Sequence, residues 1–90
     1  MEDRLEIRRK RLLYRSRYRG TKEADLLLGS FADRYLAEFG PAQIDGYEAL
    51  LDIDDADLLD WLTGRAPPPA ERDSDVLRLL MAFRYADREV

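Results

Sequence analysis

KEADLLLGSFADRYLAEF, residues 22–39, carries apolar side chains at 24, 27, 28, 31, 32, 35, 36 and 39. Gaps of three and four put these positions on one broad stripe of an α-helix. No useful length of the chain alternates at period two, as a half-buried strand would. A stripe this wide needs cover on several sides. The segment is therefore expected to be the central, most buried helix, about 27 Å long.

Outward from it, both boundaries are marked. Thr21 is placed to cap the helix by accepting from an orphan amide, and Gly20 before it suits a helix stop or a tight turn. Upstream, about Glu2 to Tyr18 contains no Gly or Pro and is rich in Arg and Leu, good helix formers. Leu5, Leu12, Leu13 and the small Ser16 give this first helix only a narrow buried stripe. Ile7, Arg11, Tyr14 and Tyr18 share another face at three- and four-residue spacing, and aromatics beside arginines on an open face suit an interface. Downstream, Gly40-Pro41 is a stop followed by a start. Ile44, Tyr47, Leu50 and Leu51 mark a short third helix. Asp54 or Asp55 can cap a fourth, with Leu58, Leu59, Trp61 and Leu62, that ends at Gly64. A stiff linker with Pro67, Pro68 and Pro69 precedes a last helix from Ala70 or Asp73 to Arg84, with Val76, Leu77, Leu80, Met81 and Phe83. Asp87 to Val90 is expected to fray. The fold class is all-α: a compact five-helix single domain spanning residues 1–90, with its ordered core over about 2–86.

A chain of 90 residues holds one small core and no separate catalytic module. Its 46% hydrophobic content argues against disorder, while 38% charged residues make the surface densely ionic. There is neither cysteine nor histidine, so disulfides, thiol nucleophiles and the best zinc or haem ligands are excluded. No apolar run approaches the roughly 20 residues of a membrane span. The net charge of −4 conceals a division: residues 1–22 carry nine Lys/Arg against three Asp/Glu, and residues 23–90 carry six against sixteen. A positive first helix on a negative body can pair internally in part, and whatever stays exposed attracts an anionic surface.

Four constellations invite a chemical reading. Asp52-Ile53-Asp54-Asp55-Ala56-Asp57 fails as a calcium loop, because the fifth, sixth and twelfth positions hold Ala56, Asp57 and Thr63 rather than a ligand oxygen, glycine and glutamate. Helix capping and first-turn carboxylates explain it better. The run Arg8-Arg9-Lys10-Arg11, with Arg15, Arg17 and Arg19, could meet phosphates while Tyr14 or Tyr18 stacks on bases. The acidic body opposes that, and no helix-turn-helix pattern is present. Trp61, at the apolar spacing of its helix, is assigned to the core. Arg19-Gly20-x-x-Glu23 reads in two ways. It is a glycine stop flanked by an Arg/Glu pair, or a contact where glycine admits a partner backbone, Arg19 forks onto a carboxylate or phosphate, and Glu23 accepts from a partner donor.

From Arg11 to Arg84 the pattern resembles a known family, the small bacterial SdhE proteins and their mitochondrial relative, succinate dehydrogenase assembly factor 2. The resemblance rests on Arg-Leu-Leu-Tyr-Arg-Ser-Arg-Tyr-Arg-Gly (11–20) leading into Glu23, the helix with Leu27, Leu28 and Phe31, Asp-Asp-Ala-Asp-Leu-Leu-Asp-Trp-Leu (54–62), and the proline linker before a last amphipathic helix. It implies a five-helix chaperone, not an enzyme, that promotes covalent attachment of FAD to the flavoprotein subunit of succinate dehydrogenase or fumarate reductase. FAD and its acceptor histidine would belong to the partner, and no cofactor would be stably bound here. The family motif maps onto Arg19, Gly20 and Glu23 as partner-binding residues, and Tyr14, Arg17 and Tyr18 extend it from their places on the first helix. The implied setting is a bacterial cytoplasm, or the mitochondrial matrix for a processed form, with a monomer when free and no nucleic acid bound. The alternative left by the residues alone is a non-enzymatic regulatory or nucleic-acid-binding module that uses the basic first helix.

Overall fold

The computed structural model describes the backbone over residues 4–89 and side chains over residues 4–83. Among these, the chain forms α1 (Arg4–Arg17), α2 (Lys22–Tyr35), a 3-10 turn at Leu36–Glu38, α3 (Pro41–Leu51), α4 (Asp55–Leu62), a second 3-10 turn at Ala70–Arg72, and α5 (Asp75–Glu89). The all-α expectation holds. The first helix was expected to start at Glu2, which lies outside the described residues.

Phe31, Ile44, Tyr47 and Leu80, each 0% exposed, bring α2, α3 and α5 to one centre. Phe31 is the hub of an aromatic cluster, its ring centroid 4.9 Å from Tyr35, 5.5 Å from Tyr47, 5.7 Å from Phe83 and 6.1 Å from Phe39. Offset and edge-on ring pairs at such separations stabilise beyond the area they bury. The stripe that opened the sequence reading is thus the floor of the core, with only Tyr35 left partly open. Trp61 is 9% exposed and joins this core, as its spacing required.

Helix α1 packs chiefly on α2, touches α3, and buries only Leu12 and Ser16 completely. Its close approach to α2 depends on Gly29, where a Cβ would stand 3.3 Å from Arg17 Cγ and 3.8 Å from Arg17 Cα. One polar knot sits inside this junction. Ser16 Oγ donates to the Leu12 carbonyl at 2.7 Å. With that proton used, Tyr47 donates to Ser16 across 2.6 Å, and the Leu28 carbonyl lies 3.4 Å away as a weaker acceptor.

Several boundaries differ from expectation for local reasons. Helix α2 tightens into the 3-10 turn after Tyr35 instead of running to Phe39. Asp54 is the N-cap of α4, yet its side chain makes no capping bond. Gly64, at φ 81°, ends α4 with Arg65 N bonded to the Asp60 carbonyl at 2.8 Å and Gly64 N to that of Trp61 at 3.3 Å. Only a residue without Cβ enters that conformation freely. Helix α5 starts at Asp75, later than read, because Ser74 Oγ accepts from Leu77 N at 3.0 Å. It passes Arg84, where it was expected to end, and runs to Glu89. Val90 lies outside the described residues.

Candidate partner-docking site

Residues 18–21 link α1 to α2 and hold the motif picked out from the sequence. Thr21 caps α2 as expected, its Oγ1 accepting from Ala24 N at 3.2 Å. Gly20 follows α1 by three residues at φ 120°, so it is a turn glycine and not an immediate helix cap. Among the described residues, and apart from its two neighbours in sequence, nothing lies within 4 Å of where its Cβ would be. The backbone conformation requires glycine while the space outside stays open to a visitor. Any substitution at Gly20 therefore strains the turn as well as filling the surface. Asp25, which the sequence reading passed over, collects the turn's amides: its Oδ1 accepts from Arg19 N at 2.5 Å and Gly20 N at 3.3 Å.

The guanidinium of Arg19 faces inward. Nε donates to Asp55 Oδ1 at 2.8 Å, Nη2 to the Ile53 carbonyl at 2.8 Å, and Nη1 to the Leu51 carbonyl. Nη2 also pairs with Asp55 Oδ1 at 2.7 Å, and the Arg19 side chain is only 10% exposed. The fork expected to meet a partner's carboxylate or phosphate is, in the chain alone, turned onto the protein's own body. The loop between α3 and α4 has already taken the fork.

The same holds for much of the basic helix. Arg8 pairs with Asp45 at 2.6 Å and Glu48 at 3.3 Å, Arg15 with Asp52 at 2.8 Å, and Arg17 with Asp33 at 2.6 Å. Arg9 donates to the carbonyls of Leu36 at 3.0 Å and Phe39 at 2.7 Å, closing the 3-10 turn after α2. The charge division seen in the sequence is thus largely folded upon itself. Exposed pairs of this kind add little stability each. They do set where the side chains point, and they lower the charge offered to an outside anion.

Among the mostly charged side chains that α1 leaves outward, an aromatic pair stands at its C-terminal end and the turn beyond. Tyr14 and Tyr18 are 65% and 67% exposed, with ring centroids 4.5 Å apart at 34°. Arg11 is exposed beside them on the same helix face. Past the turn, Glu23 is exposed, and Leu26 one helical turn further on is 62% exposed. Leu26 was missed, although its place off the α2 stripe was a readable signal. Of the six residues singled out, Tyr14, Arg17, Tyr18, Gly20 and Glu23 thus reach the surface at one end of the α1–α2 pair, while Arg19 lies beneath them.

The only titrating group with a large displacement among the described side chains is Tyr47, whose hydroxyl is pushed up to about 12 by burial, against a smaller opposing effect of the Ser16 hydrogen bond and of Arg19 and Arg15. It is enclosed in the core and is no candidate for proton transfer with a ligand. Among the described residues no group of three or more acidic side chains is gathered as a metal site, and no helix is long and apolar enough to cross a membrane.

Comparison with known proteins gives a consistent answer. Residues 10–84 match the family described as flavinator of succinate dehydrogenase. The chain is 44% identical over 91 residues to succinate dehydrogenase assembly factor 2, mitochondrial, of Scheffersomyces stipitis, covering 96% of this chain and 61% of that protein. It is 45% identical over 78 residues to assembly factor 2-B, mitochondrial, of Drosophila ananassae, covering 84% of this chain and 48% of that one. A bacterial relative, the FAD assembly factor SdhE of Acetobacter pasteurianus, is 38% identical over 80 residues, covering 89% and 73%. The chain thus spans about half to three-fifths of the length of these mitochondrial relatives.

Proposed function

The chain belongs to the family of succinate dehydrogenase flavinators, and on that premise we propose that it is an assembly factor that binds the flavoprotein subunit of succinate dehydrogenase, or of fumarate reductase, and promotes covalent attachment of FAD. The attachment chemistry belongs to the partner. FAD is the group transferred onto that partner, and this chain supplies binding, without catalysis. The observation that carries the reading is the end of the α1–α2 pair. A pair of exposed tyrosines with rings tilted against each other leads into a glycine at positive φ with open space beside it, followed along α2 by the exposed Glu23 and Leu26.

The roles differ from residue to residue. Tyr14 and Tyr18 offer large, stiff contact area at small entropic cost, as favoured at interface centres. Gly20 admits a partner's backbone. Glu23 presents a carboxylate at the start of α2, and Arg17, held by Asp33, sits at the rim. Arg19 shapes the surface from below. The mechanism is differential binding. A factor that prefers the flavoprotein conformer with FAD and acceptor residue aligned raises that conformer's population in proportion to its preference, and a preference of about 1.4 kcal/mol gives about tenfold. The monomeric state of the free chain, and its site of action in a bacterial cytoplasm or a mitochondrial matrix, belong to the same proposal. The nucleic-acid alternative loses support because Arg8, Arg9, Arg15, Arg17 and Arg19 are engaged by the body.

Co-expression with the candidate flavoprotein, followed by affinity capture and in-gel fluorescence of covalent flavin, tests the proposal. A complex is expected, with stronger flavin fluorescence when this chain is present. Equal fluorescence with and without it, and no captured complex, refutes the reading.

A further inference from the structure

The docking turn is built by residues far from it in sequence. Asp25 gathers its amides from α2, while Arg19 carries the turn's other anchor across to the loop between α3 and α4. The two carbonyls that receive Arg19, those of Leu51 and Ile53, belong to the end of α3 and the loop, and carbonyls alone would hold a guanidinium in several orientations. The group that fixes it is Asp55, 36 positions away, whose single Oδ1 accepts from both Nε and Nη2 at 2.8 and 2.7 Å. Asp55 is 21% exposed and Arg19 10%, so this pair is far more enclosed than Arg15–Asp52, at 39% and 68%. A hydrogen-bonded ion pair shielded from water holds its geometry more firmly than an exposed one.

We propose that Asp55 is a positioning residue for partner docking: through Arg19 it fixes the turn that carries Gly20 and the approach of Tyr18, without itself touching the partner. This rests on the docking reading above. It adds that one carboxylate of the acidic stretch 52–57, which fails as a cation site, acts by holding the motif's arginine. Part of the motif's requirement is then intramolecular, and Asp55 belongs to the motif functionally although it lies on another helix.

The test uses the full chain with Asp55→Asn, Asp55→Ala and, as a control of equal charge change at an exposed pair nearby, Asp52→Asn. Three quantities are read: amide resonances and hydrogen exchange of residues 19–21 in the free chain, affinity for the flavoprotein, and melting temperature. Expected results are displaced resonances and faster exchange at the turn in both Asp55 variants. Affinity should fall about tenfold for Asp55→Ala and less for Asp55→Asn, which keeps an acceptor oxygen. The Asp52→Asn control should stay within about twofold of the parent. Unmoved turn amides, or affinities equal to that control, overturn the proposal. If Asp55→Ala does not fold, Asp55→Asn decides by the same amide and affinity criteria. A parent chain that binds no flavoprotein sinks the docking reading instead, and the amide measurements still decide whether Asp55 holds the turn.

Discussion

Replacing Tyr47 by phenylalanine removes one oxygen from the centre of the protein and leaves the ring in place, and the sign of its effect should reverse with pH. The side chain is 0% exposed, and its hydroxyl donates to Ser16 across 2.6 Å. Near neutral pH the lost hydrogen bond should cost about 1 kcal/mol. At high pH a second effect enters. Burial holds the folded hydroxyl at about 12, whereas in the unfolded chain a tyrosine ionises near 10. The stabilisation tied to the protonated hydroxyl is fully present below about pH 10 and is lost as pH rises toward about 12, because the unfolded state releases its proton first. The loss is about 1.4 kcal/mol per pH unit, or about 3 kcal/mol over the interval. The phenylalanine variant has no proton to release at this position and escapes this part of the alkaline loss. The parent's initial advantage of about 1 kcal/mol should vanish near pH 11, above which Tyr47→Phe becomes the more stable protein. Urea unfolding followed by far-ultraviolet circular dichroism, on both proteins from about pH 8 to about pH 11.5, measures the difference directly. Curves that stay parallel over that range would refute the burial argument.

Three further outcomes follow from the same geometry. Arg19→Ala removes the donor that Asp55 and the Leu51 and Ile53 carbonyls share; a loss of about 2–3 kcal/mol, or about 10–20 °C in melting temperature, is expected, and a melt within about 2 °C of the parent contradicts it. Gly29→Val drives a branched side chain into Arg17 where even a Cβ stands 3.3 Å from Cγ, so it should cost about 1–3 kcal/mol by prying α1 from α2, and unchanged denaturant midpoints would show that the helices do not meet there. The double change Tyr14→Ala and Tyr18→Ala touches only exposed rings and should leave stability within about 0.5 kcal/mol while weakening flavoprotein binding about tenfold or more, as read by calorimetry; full affinity would remove the tyrosines from the interface.

The helices were legible because their signals are local. The spacing in residues 22–39, the stop at Gly40-Pro41, the Thr21 cap and the glycine at 64 each act within a turn or two of chain, and the structure follows them to within a few residues. The resemblance over 11–84 was legible for the same reason, since it rests on order and spacing. Boundaries slipped where a side chain not marked by pattern took over, as Ser74 did at the start of α5. In the site, Tyr14 and Tyr18 were readable as an open aromatic face. Leu26 was readable too, by its place off the stripe, and went unread.

The direction of the arginines was not legible. By itself the sequence determined an all-α chain, the composition of its core, the charge division between first helix and body, and the glycine turn between α1 and α2. Only the tertiary structure decided that Arg19 points inward to Asp55, and that Arg8, Arg15 and Arg17 meet Asp45, Asp52 and Asp33. The physical reason is reach. A helix and its caps are set by neighbours a few residues apart, whereas a guanidinium on a long flexible stem takes whichever carboxylate or carbonyl the packing of another helix brings beside it. For Arg19 that acceptor lies 36 positions along the chain. No local spacing announces a pairing of that kind.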